Sequence, residues 1–151
     1  MHDIELKVLD SRVGKEFPLP SYSTDGAAAL DLRAALEEPL HLPKGGEVVI
    51  GTGVALHIRN ANLAGLILPR SGLGTKHGIV LSNLTGLIDS DYQGEIMIPC
   101  WNRSLTDFLI NPGDRIAQLV LIPVVKANLV HVDRFTPSLR GENGFGHTGI
   151  Q

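Results

Sequence analysis

Asn83-Leu-Thr-Gly-Leu-Ile-Asp-Ser-Asp-Tyr-Gln-Gly-Glu95 combines strand-forming residues with two glycines, two close carboxylates and an aromatic ring. Val80 and Leu81 lead in, and Ile96, Met97 and Ile98 lead out, so the polar group between them reads as a hairpin at a turn of a sheet. Asp89 directly follows Leu87 and Ile88, a costly place for a carboxylate without a partner or a task. The expectation is a hairpin that carries chemistry.

Working outward, 17 glycines and 9 prolines interrupt the chain so often that few windows hold a full helix, while Val, Ile and Leu recur in short runs. This pattern predicts an all-β domain. Strands are expected near Glu5–Leu9, Ala29–Ala34, Glu47–Ile50, Val54–His57, Leu63–Leu68, Ile79–Leu84, Glu95–Trp101, Phe108–Ile110 and Ile116–Pro123. Leu42-Pro-Lys-Gly-Gly46 and Asn111-Pro-Gly-Asp114 place Pro and Gly where tight turns want them, and both read as hairpin connections. Ser71 to His77 suits a short helical turn with Ser71 as its cap.

At 151 residues the chain has the size of one domain that buries a core without disulfides. The single Cys100 excludes an internal disulfide and a multi-cysteine zinc site, and its strand context predicts an inert buried thiol. With 13 Lys plus Arg against 16 Asp plus Glu, a net charge of -3 argues against a broad footprint for nucleic acid, so no direct nucleic-acid binding is expected. No window approaches the roughly 18 apolar residues of a membrane span, and Met1-His2-Asp3-Ile4-Glu5 lacks signal-peptide features, so a soluble cytoplasmic protein is expected.

Several groups suit an anionic ligand. Pro69-Arg-Ser-Gly-Leu-Gly74 offers the Arg70 guanidinium, the Ser71 hydroxyl and close backbone approach at Gly72, although it lacks P-loop spacing and also reads as a polar turn. Asp31, flanked by Leu30 and Leu32, either faces solvent or anchors an arginine across the sheet. Arg115 and Gln118 bracket Ile116 and Ala117, and Gln118 donates and accepts at once. The segment after Phe135 cannot build a core, yet Arg140, Phe145 and Thr148 supply a cation, a stacking surface and a hydroxyl among glycines, a mixture suited to closing over an anionic aromatic ligand. The six histidines form no metal-ligand spacing, and no nucleophile elbow is present, which leaves water as the nucleophile and a carboxylate as its positioner.

In this order the segments resemble the trimeric deoxyuridine triphosphatase (dUTPase) family across nearly the whole chain. Ala28-Ala-Leu-Asp-Leu-Arg-Ala34 is similar to its first motif and Pro69 to Gly74 to its second. Gly86 to Glu95 resembles the third, Pro112-Gly-Asp-Arg-Ile-Ala-Gln118 the fourth, and Arg140 to Gly149 the fifth. Ala29 stands where the family usually has glycine and His147 where many members have serine; neither departure removes a catalytic group.

The resemblance implies a distorted β jelly roll over residues 1–135, of the β-clip kind, with a flexible glycine-rich lid over 136–151. It implies a homotrimer with shared active sites and hydrolysis of dUTP to dUMP and pyrophosphate, limiting uracil in DNA and supplying dUMP for dTMP synthesis. By similarity Asp89 activates water for attack on the α-phosphorus, and Asp91 does not. Arg70, Ser71, Gly72, Gln118, Arg140, Gly146 and Thr148 meet the phosphates and their surroundings, with Asp31 and Arg115 in support. Main-chain groups of the hairpin and the Asn83 side chain select uracil, Leu87 and Met97 bind substrate, Tyr92 lies against the deoxyribose, and Phe145 stacks on uracil. Mg2+ arrives on the substrate phosphates rather than in a protein cage. The alternatives are a dCTP deaminase, which shares the trimeric architecture, and a non-catalytic nucleotide-binding trimer.

Overall fold

Alternation of inward and outward residues shapes the long strands: along Glu95–Asn102, Ile96, Ile98, Cys100 and Asn102 are buried while Met97 is exposed. The computed structural model describes residues 2–138, Gly141 and Glu142. In chain order the elements are β1 (Glu5–Val8), β2 (Leu30–Arg33), β3 (Leu40–Leu42), β4 (Glu47–His57) and β5 (Leu63–Leu68), then helix α1 (Ser71–His77). There follow β6 (Ile79–Leu81), β7 (Gly86–Ile88), β8 (Glu95–Asn102), β9 (Phe108–Ile110) and β10 (Arg115–Pro123). One sheet has the order β1-β4-β8-β6, a second β2-β10-β5-β7, and β3 pairs with β9. Every pairing between these strands is antiparallel, and the two four-stranded sheets enclose a shared core with Leu32, Ile67 and Leu119 from one and Ile50, Ile96 and Ile98 from the other.

Among the described residues, no strand pairs with its successor in sequence. The chain steps from one sheet to another at every connection, the connectivity of a distorted jelly roll. Hence the expected hairpins are corrected. The turn over 42–46 links β3 to β4, and the turn over 111–114, closed by Asp114 N–H donating to the Asn111 carbonyl at 3.1 Å, links β9 to β10. Asn83–Glu95 is likewise not one hairpin: β6 and β8 pair with each other, while β7 between them crosses to pair with β5.

Two strands expected over 47–50 and 54–57 are one, β4, interrupted by a bulge between Gly51 and Ala55 in its pairing with β8. Gly53 sits there at φ +69, and a Cβ on it would lie 2.7 Å from the Asp10 Cβ. That local bend imitates a strand break in sequence. Ile79–Leu81 stops short of the expected Leu84, since Leu84 turns at φ 66. The helix begins at Ser71 as residue one, with Arg70 as N-cap and no side-chain cap bond, so Ser71 is not the cap.

Buried Asn102 has its amide donating to the Leu42 and Thr106 carbonyls at 3.1 and 2.8 Å, and its Oδ1 accepts from Ser104 N–H and Oγ at 3.0 and 2.7 Å. Burial pushes the Cys100 thiol up to about 12, in keeping with an inert cysteine.

Candidate active site

β2, β10 and β5 lie side by side, and their register gathers residues far apart in sequence. Gln118 stands opposite Asp31 on one flank and Leu68 on the other, and the chain leaves β5 through Pro69 into Arg70. Asp31 Oδ1 accepts from Arg70 Nε at 2.9 Å and Oδ2 from Arg115 Nη1 at 3.1 Å. One carboxylate therefore holds two guanidiniums, and the cluster keeps one net positive charge. Arg70 Nη1 also donates to the Arg115 carbonyl at 3.2 Å, and Gln118 Nε2 donates to the Pro69 carbonyl at 2.9 Å. The Asp31 side chain is 18% exposed against 27% for Arg70 and 44% for Arg115, so the carboxylate is recessed and the cations reach outward. Of the two readings of Asp31, the arginine anchor is the one observed.

These residues line an open cleft of about 330 Å³ with Ser23, Ala27, Ala28, Ala29, Ser71 and Gly72. Ser71 and Gly72 are exposed in the first turn of α1, where backbone N–H groups have no partner within the helix. A Cβ on Gly72 would meet nothing within 4 Å, so packing within this chain does not require glycine there. Ser23, whose hydroxyl lies 3.4 Å from Asp31 Oδ2, was not anticipated; it comes from a loop without strand periodicity. Arg33 was also missed as a support: its Nη1 donates to the Gly113 carbonyl at 2.8 Å and steadies the turn before Arg115.

The cleft does not include Asn83, Leu87, Asp89, Tyr92 or Met97. Those residues sit on the excursion through β7 and at the start of β8, all exposed, with Leu87 at 63%. The expected burial of Asp89 is corrected: the residue is exposed and leaves β7 into a turn in which Tyr92 N–H donates to the Asp89 carbonyl at 3.2 Å. The aliphatic pair before it misled, because Leu87 itself faces outward. Tyr92 Oη donates to the Glu95 carbonyl at 3.0 Å. Since Gly65 is opposite Ile88 and Gln118 opposite Leu68, strand spacing and rise put Asp89 roughly 16 Å from Gln118 within one chain.

From the expected lid, Arg140, Phe145, Gly146, His147 and Thr148 lie outside the described residues. Among the described residues no group of three or more His, Cys, Asp or Glu is placed to hold a metal ion, and both Asp31 oxygens are engaged by arginines. No helix among them is long and apolar enough to cross a membrane.

Fold and site together define a jelly-roll protein with a carboxylate-braced cationic cleft and a separate exposed segment bearing a carboxylate and an aromatic ring. A model of the dUTPase family matches residues 15–149. The chain is 59% identical over 148 residues to the deoxyuridine 5'-triphosphate nucleotidohydrolase of Acinetobacter baumannii, covering 98% of this chain and 99% of that one. It is 60% identical over 148 residues to the protein of the same description from Shewanella baltica, covering 98% and 97%. The fold matches a point mutant of the Staphylococcus bacteriophage 80alpha dUTPase solved with dUpNHpp, at TM-score 0.85 and 28% identity over 99% of this chain and 100% of that one. A mutant dUTPase from phage phi11 of S. aureus, described as revealing the coordination of a structural Mg(II) ion, matches at TM-score 0.78 and 25% identity over 90% and 100%. The chain belongs to the dUTPase family.

Proposed function

We propose that this chain hydrolyses dUTP to dUMP and pyrophosphate, water attacking the α-phosphorus and pyrophosphate leaving as the bond to the β-phosphate oxygen breaks. The observation that carries this reading is the cleft of Arg70, Arg115, Ser71 and Gln118 around Asp31 in a chain of this family. Two forward-reaching guanidiniums, a hydroxyl and free amides supply donors where negative charge develops on the phosphates. Asp89, an exposed carboxylate, takes the proton of the attacking water. Asn83 and nearby backbone read the uracil edge, Leu87 and Met97 flank base and sugar, and Tyr92 lies against the deoxyribose where a 2'-hydroxyl would need room. Arg140, Phe145, Gly146 and Thr148 close over the nucleotide as a lid formed by residues 136–151.

The working unit is a homotrimer. The separation of Asp89 from the cleft supports a site in which the cleft of one subunit meets the Asn83–Glu95 segment of another. The stretch after β10 supports association as well, since Val125, Leu129 and Phe135 are 96%, 92% and 91% exposed, apolar side chains that a neighbouring subunit would cover. Mg2+ would be held by the triphosphate itself, with Arg70, Arg115 and Gln118 beside it, and would spread the charge that otherwise repels the attacking oxygen. That arrangement asks for no protein cage, in agreement with donors that are cationic rather than metal-ligating.

Incubation with dUTP, dCTP, dTTP and UTP, with and without Mg2+, tests the reading when pyrophosphate and ammonia are assayed separately. Pyrophosphate from dUTP alone, rising with Mg2+, is expected. Ammonia from dCTP would establish the deaminase, and nucleotide binding without any product would establish the non-catalytic trimer. Gel filtration should give about three times the 16.2 kDa chain; a monomer mass contradicts the shared site.

A further inference from the structure

We propose that Gly94 is a specificity-determining position for the sugar, because its missing side chain is what lets Tyr92 fold back along its own segment. The inference rests on the reading that Tyr92 faces the deoxyribose. The Tyr92 ring runs over Gly94, and its hydroxyl donates to the carbonyl of Glu95, the first residue of β8, at 3.0 Å. A Cβ built on Gly94 would overlap the Tyr92 Oη, with Cζ at 2.6 Å and Cε2 at 3.0 Å. Gly94 is not among the residues of positive φ. Its backbone therefore tolerates alanine, and the Tyr92 ring is the nearest obstacle.

Something must move if a methyl group enters, and the surroundings decide what moves. The backbone is held on both sides. Ser90 offers its carbonyl to Arg59 N–H at 2.9 Å, the Glu95 carboxylate accepts from Gly53 N–H at 2.9 Å, and the Ile96 carbonyl accepts from Thr52 Oγ1 at 2.7 Å. Tyr92 is 42% exposed, and its hydroxyl has one hydrogen bond among the described contacts. The ring yields, and it swings into the space it otherwise bounds or away from it. In either case the surface that excludes a 2'-hydroxyl is displaced while the fold persists. Gly94 thus acts through Tyr92, as a seat for the ring.

A double-mutant cycle on the full-length protein tests this, reading the ratio of kcat/KM for dUTP to that for UTP and the melting temperature. Gly94→Ala is expected to lower the ratio about tenfold or more, the scale on which one misplaced methylene-sized contact alters selectivity. In the Tyr92→Ala background the same change is expected to do nothing further, since no ring is left to displace. A purely structural glycine would instead lower stability in both backgrounds and leave the ratio alone. If Tyr92→Ala lowers the ratio but Gly94→Ala keeps it within twofold, the seat is refuted and the role of Tyr92 stands. If Tyr92→Ala leaves the ratio unchanged, both fall. Should Gly94→Ala fail to fold, the double variant decides: folding restored by removal of the ring supports the seat, and no restoration overturns it.

Discussion

Replacing Asp31 by asparagine keeps its size and removes the charge between Arg70 and Arg115, setting two effects against each other. The variant loses the charge assistance of the contacts at 2.9 and 3.1 Å, and an amide cannot accept on both of its heteroatoms, so one guanidinium loses its contact to residue 31. Breaking hydrogen bonds of this kind costs about 2 kcal/mol. Opposing it, a more positive cleft attracts the substrate. For a Mg-bearing triphosphate of net charge about -2 at about 7 Å in an open, screened cleft, that gain is roughly 0.5 kcal/mol. Orientation wins, and kcat/KM for dUTP should fall on the order of tenfold, the surplus of about 1.5 kcal/mol converted to rate. Steady-state kinetics at several salt concentrations check this, with circular dichroism to show that the fold is kept. A kcat/KM within twofold of the parent, or above it, would refute the view that Asp31 works by aiming the arginines.

Asn102→Ala strips four hydrogen-bonding contacts from a buried site joining β3, β8 and the turn after it, and should cost about 3 kcal/mol in denaturant unfolding; a loss under 1 kcal/mol would mean water replaces the amide. Asp10 has its carboxyl lowered to about 2 by the Arg12 side chain and backbone N–H. Because the folded value lies below the ordinary 3.8, its stabilisation is present above about pH 4 and is lost as pH falls toward 2. Asp10→Asn should therefore be less stable than the parent at pH 6, with the gap closing below pH 3, and a gap independent of pH removes the ion pair as its cause. Asp89→Asn should fold and bind dUTP while losing most turnover, and near-normal turnover ends its assignment as the base.

How much of this was legible in sequence differs from element to element. The sequence marks Leu63–Leu68 and Phe108–Ile110 at their observed bounds, and Glu95–Trp101 one residue short, because strand-forming runs end at turn residues. β3 and β7, three residues each, are too short to show a period, and the bulge between Gly51 and Ala55 makes one strand look like two. Local turn chemistry at Pro43–Gly46 and Pro112–Gly113 was visible, but it does not say which sheet the next strand joins. The meeting of Asp31, Arg70 and Arg115 depends on the order β2-β10-β5, a long-range fact no local window contains. The aliphatic pair before Asp89 suggests a burial that the residue lacks, while the same segment seats Tyr92 against Gly94, which only the ring's placement reveals.

The most direct test of the central claim is complementation between two inactive variants, Arg70→Ala and Asp89→Asn, unfolded together and refolded as mixed trimers. If each site joins the cleft of one subunit to the Asp89 segment of another, random assembly restores roughly a quarter of the parent dUTP turnover, since some sites then carry an intact cleft and an intact carboxylate. If both belong to one subunit, every site in the mixture is broken, and activity no greater than that of the separate variants would contradict the account.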